Sequence, residues 1–299
     1  MKRKILVVVL SFILTSFIVF SLSSSIEGNA GYALLGDDAS DEALSAVEDV
    51  LGINRPFPIR YLSFLYSFFT LSWGRTIDGE LVFDAISNSF HVTLALSMSS
   101  FLIALSIGVL FSLLDSSVKR PRFIFTVSYA FFSSIPSFVL AIVFVIAGVS
   151  LGYKVPSFQV DGLDALSIPS LVLGILLSFQ ISRNISFHMR KERSSFYNTG
   201  MVSRGLGDLG ISIALLKPAI YSSLPVIVES FATLLSGSAV MEGMFSLPGI
   251  GSLVVSAALR RDVPLLSTIL MLVSLAISVL YILVDVLSGV LDRRRGDAR

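Results

Sequence analysis

Six long apolar stretches restrict what this chain can fold into. They run roughly over Ile5–Leu22, His91–Leu114, Phe123–Leu151, Ile168–Ile185, Ala219–Met244 and Pro264–Val290. A helix rises about 1.5 Å per residue, so about 20 mostly apolar residues cross the roughly 30 Å of hydrocarbon in a bilayer. The expected fold is an all-α integral membrane protein with about six transmembrane helices and a long outer loop between the first and the second. Composition agrees: 54% of the 299 residues are hydrophobic and 14% are charged, against about 25% charged in soluble domains. A soluble enzyme and a disordered chain are excluded on that ground. The net charge of +1 leaves no basic footprint, so no nucleic acid partner is expected. The absence of cysteine removes disulfides and thiolate metal sites.

The few charges are sorted. With the N-terminus placed inside, 16 of the 22 bases fall in inner segments: Lys2, Arg3, Lys4; Lys119, Arg120, Arg122; Arg183, Arg190, Lys191, Arg193, Arg204, Lys217; and Arg293, Arg294, Arg295, Arg299. Outer segments hold Arg55, Arg60, Arg75, Lys154, Arg260 and Arg261. Such an excess is the positive-inside pattern, and it puts both termini in the cytoplasm. The first stretch, after Met1-Lys2-Arg3-Lys4, has a second reading as a secretory signal. Its apolar run, Ile5–Leu22, is longer than the apolar region usual in a signal, so an uncleaved helix is expected.

The chain then divides into a first transmembrane helix over 1–22, an extracytoplasmic loop region with short helices over 23–90, a five-helix core over 91–290 and a cytoplasmic tail over 291–299. The outer loop carries ten acids between Glu27 and Asp84. Ser40 is placed to cap a short helix reaching Leu51. Tyr61–Trp73 is an aromatic, apolar run too short to span. It suits a helix at the outer interface or one packed on the spanning helices, and the two are compatible. The inner loop 183–217 is polar, and a loop of that size is expected to carry helices and a docking surface. Between Phe245 and Val263, Pro248-Gly249-Ile250-Gly251 predicts a tight turn or re-entrant segment.

Motifs of chemistry are few. Gly205-Leu206-Gly207-Asp208-Leu209-Gly210 reads GxGxxG, but no strand precedes it, so a turn is expected there rather than a nucleotide site. No P-loop and no HExxH occurs. His91 and His188 fall on opposite sides of the expected membrane, so they share no metal, and no metal site is expected. Glu229 and Glu242 lie inside the fifth apolar stretch, where an acid is costly and marks function or a local partner. Glu242 suits a structural seat and Glu229 a polar pathway. The second to fourth stretches carry Ser97, Ser99, Ser100, Ser106, Ser128, Ser133, Ser134 and Ser137. Serines such as Ser133 and Ser134 line a pathway in one reading and bond their own helix backbone in the other. Pro136 and Pro169 are expected to kink or start helices.

One region carries a resemblance. Glu242-Gly243-Met244-Phe245-Ser246-Leu247-Pro248-Gly249-Ile250-Gly251, followed by Ala258-Leu259-Arg260-Arg261-Asp262-Val263-Pro264, resembles the signature of permease subunits of binding-protein-dependent ABC importers in the dipeptide/oligopeptide group. Leu51–Pro56, Trp73-Gly74-Arg75, Asp84-Ala85-Ile86, Thr93-Leu94, Ser134-Ile135-Pro136-Ser137-Phe138, Val284-Asp285 and Leu291-Asp292 are similar in the same order, so the resemblance covers nearly the whole chain. The family's coupling segment falls near Tyr197–Pro225, with its glycine on Gly205 and its closing Leu-Pro on Leu224 and Pro225. The preceding triplet falls on Thr199, Gly200 and Met201 and is degenerate. The interval from Gly205 to Pro225 is about two residues longer than usual, a tolerable change in a loop. The Gly-Asp-Pro usual after the first helix is missing, and Arg293 replaces a proline after Asp292.

The resemblance implies a type I ABC importer permease fold in a bacterial or archaeal cytoplasmic membrane. It implies a transport subunit without catalytic activity or cofactor of its own, ATP and Mg being bound by partner subunits. The implied partners are a second homologous permease, two ATP-binding subunits and an extracytoplasmic solute-binding protein, beside membrane lipid. Tyr197, Thr199, Gly200, Met201, Gly205, Leu206, Leu224 and Pro225 would form the ATPase-coupling segment inside 183–217 and just beyond it. Glu242, Phe245, Pro248, Gly249 and Gly251 form the signature turn, and Glu229, Ser133 and Ser134 are candidates for the path. The solute is a peptide, a nickel chelate or an oligosaccharide. An ion-gradient-driven secondary transporter, with Glu229 carrying a proton, is the competing class; it predicts internal repeats, and none is evident.

Overall fold

Helix dominates the chain, and the one β-bridge among the described residues joins Arg75 to Leu81. The computed structural model describes residues 2–27, 40, 55–117, 122–156, 162–193, 201, 203 and 205–296. In chain order the helices are α1 (Lys2–Glu27), α2 (Phe57–Phe69), α3 (Val82–Ser117), α4 (Arg122–Ser134), α5 (Ser137–Ser150), a 3-10 turn (Gly162–Leu166), α6 (Ser167–Arg193), α7 (Asp208–Gly237), α8 (Ala239–Met244), α9 (Ile250–Arg260) and α10 (Val263–Gly296). Four of the described helices are long and apolar enough to cross a membrane, or five when a bent pair is counted as one span. α1 adds 26 residues around the apolar segment Val9–Leu22. The expected outer helix between Ser40 and Leu51 lies outside the described residues.

The chain falls into two units, Met1–His91 with Pro248–Val279 and Val92–Leu247 with Leu280–Arg299. In the second unit α6 is central. Ile168, Val172, Leu177, Ile181, Ile185 and Met189 are buried along it, and it packs against α7 over much of its length, with α4 and α5 on other sides. Small residues let α3 approach it closely. A Cβ added at Gly174 would lie 2.6 Å from Cγ2 of Ile103, and one at Gly108 would lie 3.1 Å from the carbonyl oxygen of Ser178. The serines mostly follow the simpler of their two readings. Ser99, Ser100, Ser106, Ser128 and Ser134 each donate to the carbonyl four residues back, which satisfies a hydroxyl in apolar surroundings at no cost to a neighbour.

The third stretch departs from expectation. Phe123–Leu151 is not one straight span but two helices of 13 and 14 residues, bent by 96° at Ile135 and Pro136. Proline has no N–H for the ladder, and its ring drives the preceding residue out of the α-region. Each half is about 20 Å long, too short to cross alone. Tyr129 bonds Ser182 and Ser186, and Phe132 stacks on Phe179 at 4.0 Å, so α4 runs antiparallel along the later half of α6. α5 then meets α8, beyond the far end of α7. The second departure is the inner loop 183–217. α6 continues to Arg193 and α7 already begins at Asp208, so most of that segment extends the spanning helices. The bases Arg190, Lys191 and Arg193 in the last turn of α6 favour the negative end of its dipole, and Asp208 favours the positive end of α7.

In the first unit α2 lies antiparallel against α1. Phe57 and Tyr61 meet Phe17 and Phe20, while Phe68 and Phe69 meet Phe12. Ser16 and Tyr61 share a hydrogen bond of 2.7 Å. The run Tyr61–Trp73 is therefore largely a helix packed on a spanning helix, with Leu62, Tyr66 and Phe69 left exposed. Another cluster joins Val82, Ala85 and Ile86 of α3 to Ile250 and Ala257 of α9 and to Leu265 and Ile269 of α10.

Candidate functional site

The signature region begins with a buried acid. α8 continues from α7 through Ser238, and this puts Glu242 at 0% exposure. Its Oε1 accepts hydrogen bonds from Thr93 Oγ1 at 2.8 Å and from Ser238 Oγ at 2.7 Å. The backbone repeats the tie: Glu242 N–H donates to Ser238 O, and Leu247 N–H donates to Glu242 O, both at 2.8 Å. Glu242 thus holds the start of the spanning part of α3 to the end of α7, the structural seat expected for it. Phe245 packs on the core of the same unit, and Ser246 takes φ +51 to turn the chain. Pro248 is exposed, and Gly249 caps α9, its N–H meeting Ser252 Oγ at 3.1 Å. Gly251 lies in the first turn of α9. The expected turn is present at Ser246–Gly249, and an 11-residue helix follows it that the residue pattern did not announce.

Asp262, from the same sequence signature, is a fastening residue. Its Oδ1 accepts Leu265 N–H at 3.1 Å, capping α10, and its Oδ2 accepts Ile77 N–H at 3.0 Å. Arg260 pairs with Asp78 at 2.6 Å beside it. The Arg75–Glu80 loop is thereby held to the α9–α10 corner. Nothing in the residue pattern pointed to this partner, since 185 positions separate Ile77 from Asp262.

The expected coupling segment is only partly gathered. Tyr197, Thr199 and Gly200 lie outside the described residues. Met201 is buried in the core of the second unit. Gly205 has φ +76, a left-handed conformation that glycine adopts freely, and Leu206 beside it is exposed. The GxGxxG run forms a turn at Gly205 and a cap at Gly207, followed by Gly210 inside α7. Leu224 and Pro225 do not join this group. They sit inside α7, about 26 Å by helical rise from its start. The helix tolerates Pro218 and Pro225 within one apolar run, so a proline that suggests the close of a loop stands instead in mid-span.

Around Gly205 the helix ends are tied together. Arg193 at the end of α6 bonds both the Ser116 carbonyl at the end of α3 and the Asp208 carboxylate at the start of α7. One turn earlier Arg190 pairs with Asp115 at 2.7 Å, and Tyr129 of α4 donates to the same carboxylate at 3.1 Å. Four helices thus meet at one end through a single charged network. Charge sorting places these helix ends on one side of the membrane, but of the network's two acids Asp115 gives no signal beyond being a lone carboxylate at the end of an apolar run.

Along α7, Tyr221, Pro225, Glu229 and Thr233 recur every fourth residue and are all exposed. They form a row with polar members on a spanning helix. Ser133 is exposed near the break between α4 and α5, whereas Ser134 is spent on its own helix through Ala130 O at 2.8 Å.

Residues 100–297 match the family of binding-protein-dependent transport system inner membrane components. The chain is 27% identical over 294 residues to a protein of Brucella suis biovar 1 whose name assigns it to the permeases of peptide transport systems, covering 94% of each chain. It is 24% identical to the metal-staphylopine import system permease protein of Staphylococcus aureus (strain Mu50), covering 94% of this chain and 93% of that one. It is 25% identical to the nickel import system permease protein of Staphylococcus aureus (strain MRSA252), covering 98% and 90%.

Proposed function

This chain belongs to the family of binding-protein-dependent transport system inner membrane components and is the permease subunit of an ABC importer, and on that premise we propose that it carries a peptide or a similar small polar solute. The names of its relatives divide between peptides, metal-staphylopine and nickel, and the relative matched at 27% identity is named for peptides. Family membership sets aside the ion-gradient-driven transporter. An ATPase and a solute-binding protein are the partners of such a subunit. Our reading adds a second, homologous permease, a pair of ATPase subunits that hold ATP and Mg, and cytoplasmic placement of both termini. The bases in the last turn of α6, and the excess of bases in the inner segments of the sequence, support that placement.

One observation carries the coupling mechanism. The ends of α3, α6 and α7 are clamped by Arg193, and α6 and α7 pack along their length. A segment around Gly205 joins those two helices. An ATPase that docks on this segment and shifts between two arrangements moves the helix pair as one lever, the kind of rigid two-state element that transport requires. The row Tyr221, Pro225, Glu229 and Thr233 supplies a polar face to the path, with Ser133 as a further contributor.

Gly205→Trp tests the coupling. A side chain at φ +76 is strained, although no heavy atom stands within 4 Å of an added Cβ. The variant chain is expected in the membrane at normal level, with solute-stimulated ATP hydrolysis lost in the reconstituted complex. Normal stimulation overturns the assignment of Gly205.

A further inference from the structure

A cavity of about 290 Å³ opens beside the charged network of the second unit, between α4 and α6. Arg183 and Arg190 line it from α6, Thr126 and Ala130 from α4, and Asp115 closes one side. The two arginines differ. Arg190 is engaged by Asp115, whose side chain is only 3% exposed. Arg183 makes no ion pair with any described residue, and it faces the cavity. Arg183, Arg190 and Asp115 together leave one positive charge in excess at the opening.

Arg183 lies ten residues before the end of α6, about 15 Å along the helix. The apolar part of α6 ends at Ile185, so the exposed Arg183 stands near the level where hydrocarbon meets headgroups, and a guanidinium there is satisfied by water or an anion. Its planar fork suits phosphate oxygens in two-point contact. The rest of the surface favours an amphiphile over a free ion. Phe125 gives the cavity an apolar wall. Phe123, Val127 and Phe131 stand exposed on α4 at four-residue spacing, an apolar strip along the same helix.

We infer that this cavity binds the phosphate headgroup of an anionic phospholipid, with Arg183 as its principal contact and the acyl chains along Phe123, Val127 and Phe131. Basic pockets between spanning helices recognise such headgroups by these means. The site is separate from the segment around Gly205 and from the row on α7. A bound lipid would brace α4 against α6 at the end where the helices are clamped.

The test is native mass spectrometry of the full-length chain in detergent, titrated with dioleoyl phosphatidylglycerol, dioleoyl phosphatidylcholine or inorganic phosphate. The chain is expected to retain one phosphatidylglycerol where phosphatidylcholine is lost. Arg183→Gln is expected to weaken retention about tenfold, the scale of one charge-assisted contact. Ala130→Trp keeps every charge but fills the cavity, and it should weaken retention to a similar extent. Lys217→Gln removes a base outside the cavity and should leave retention unchanged. Equal retention of the two lipids overturns the proposal, as does wild-type retention by Arg183→Gln or Ala130→Trp at unchanged melting temperature. Displacement of the lipid by an equal concentration of inorganic phosphate also overturns it, by assigning the cavity to a soluble anion.

Discussion

Glu242 and Glu229 are the same residue type on the same continuous apolar stretch, and the fold gives them opposite surroundings. Glu242 is buried with two hydroxyl donors on one oxygen, whereas Glu229 is exposed on α7. Glu242→Ala removes the buried carboxylate that accepts from the Thr93 and Ser238 hydroxyls, and the loss of such a buried acceptor costs about 1–3 kcal/mol. The expected result is a lower melting temperature for the purified chain. Thr93→Val should cost less, because Ser238 still serves the carboxyl group. Glu229→Gln should leave the melting temperature unchanged and reduce uptake of cationic solutes in the assembled importer; unchanged uptake removes Glu229 from the path. The presence of an acid in each place was legible in the sequence. The difference between them was not, because it depends on Thr93, which lies 149 positions away and meets Glu242 only once α3 packs at the end of α7.

At the scale of elements, hydrophobic length was the dependable signal. All six apolar stretches became helix, since apolar runs that long find no better way to satisfy their backbone in lipid. Their ends and their straightness were less legible. Polar residues 183–193 and 208–217 read as loop by composition, yet dipole-matched charges and the Arg193 clamp extend α6 and α7 through them. The close approach of α3 and α6 was equally hidden, because Gly108 and Gly174 look like any glycine in an apolar run. Gly174→Ala puts a Cβ 2.6 Å from Ile103 Cγ2. Such overpacking typically costs about 1–3 kcal/mol, read as a drop in melting temperature. Adding Ile103→Ala should recover part of the loss, because the two residues are in contact and their effects do not add.

For the whole molecule, the sorting of charge is the feature that organises function. Bases concentrate on the segments proposed to face an ATPase, and acids on the long loop between α1 and α3. That loop is proposed to engage the solute-binding protein, with its charge raising the rate of encounter. Deleting Glu27–Asp49 should lower uptake at limiting binding protein, and added salt should narrow the gap from wild type because screening acts on the same attraction. Unchanged uptake counts against the loop's role. The importer class was legible because its signature residues keep their order along the chain, while the solute was not, since Tyr221, Glu229 and Thr233 name a polar row without naming what passes it.

The 96° break between α4 and α5 also bears on how the protein is made. Before tertiary contacts form, Phe123–Leu151 is one continuous apolar run, long enough for the insertion machinery to deliver as a single passage. Neither half, once bent, meets that requirement alone. Pro136 breaks the helical ladder from within the run, and α6, which follows it in the sequence, supplies Phe179 to seat Phe132 and fix the angle of the break. A nascent chain truncated after Lys154 should cross the membrane at its third stretch as efficiently as the full chain does, read by glycosylation mapping.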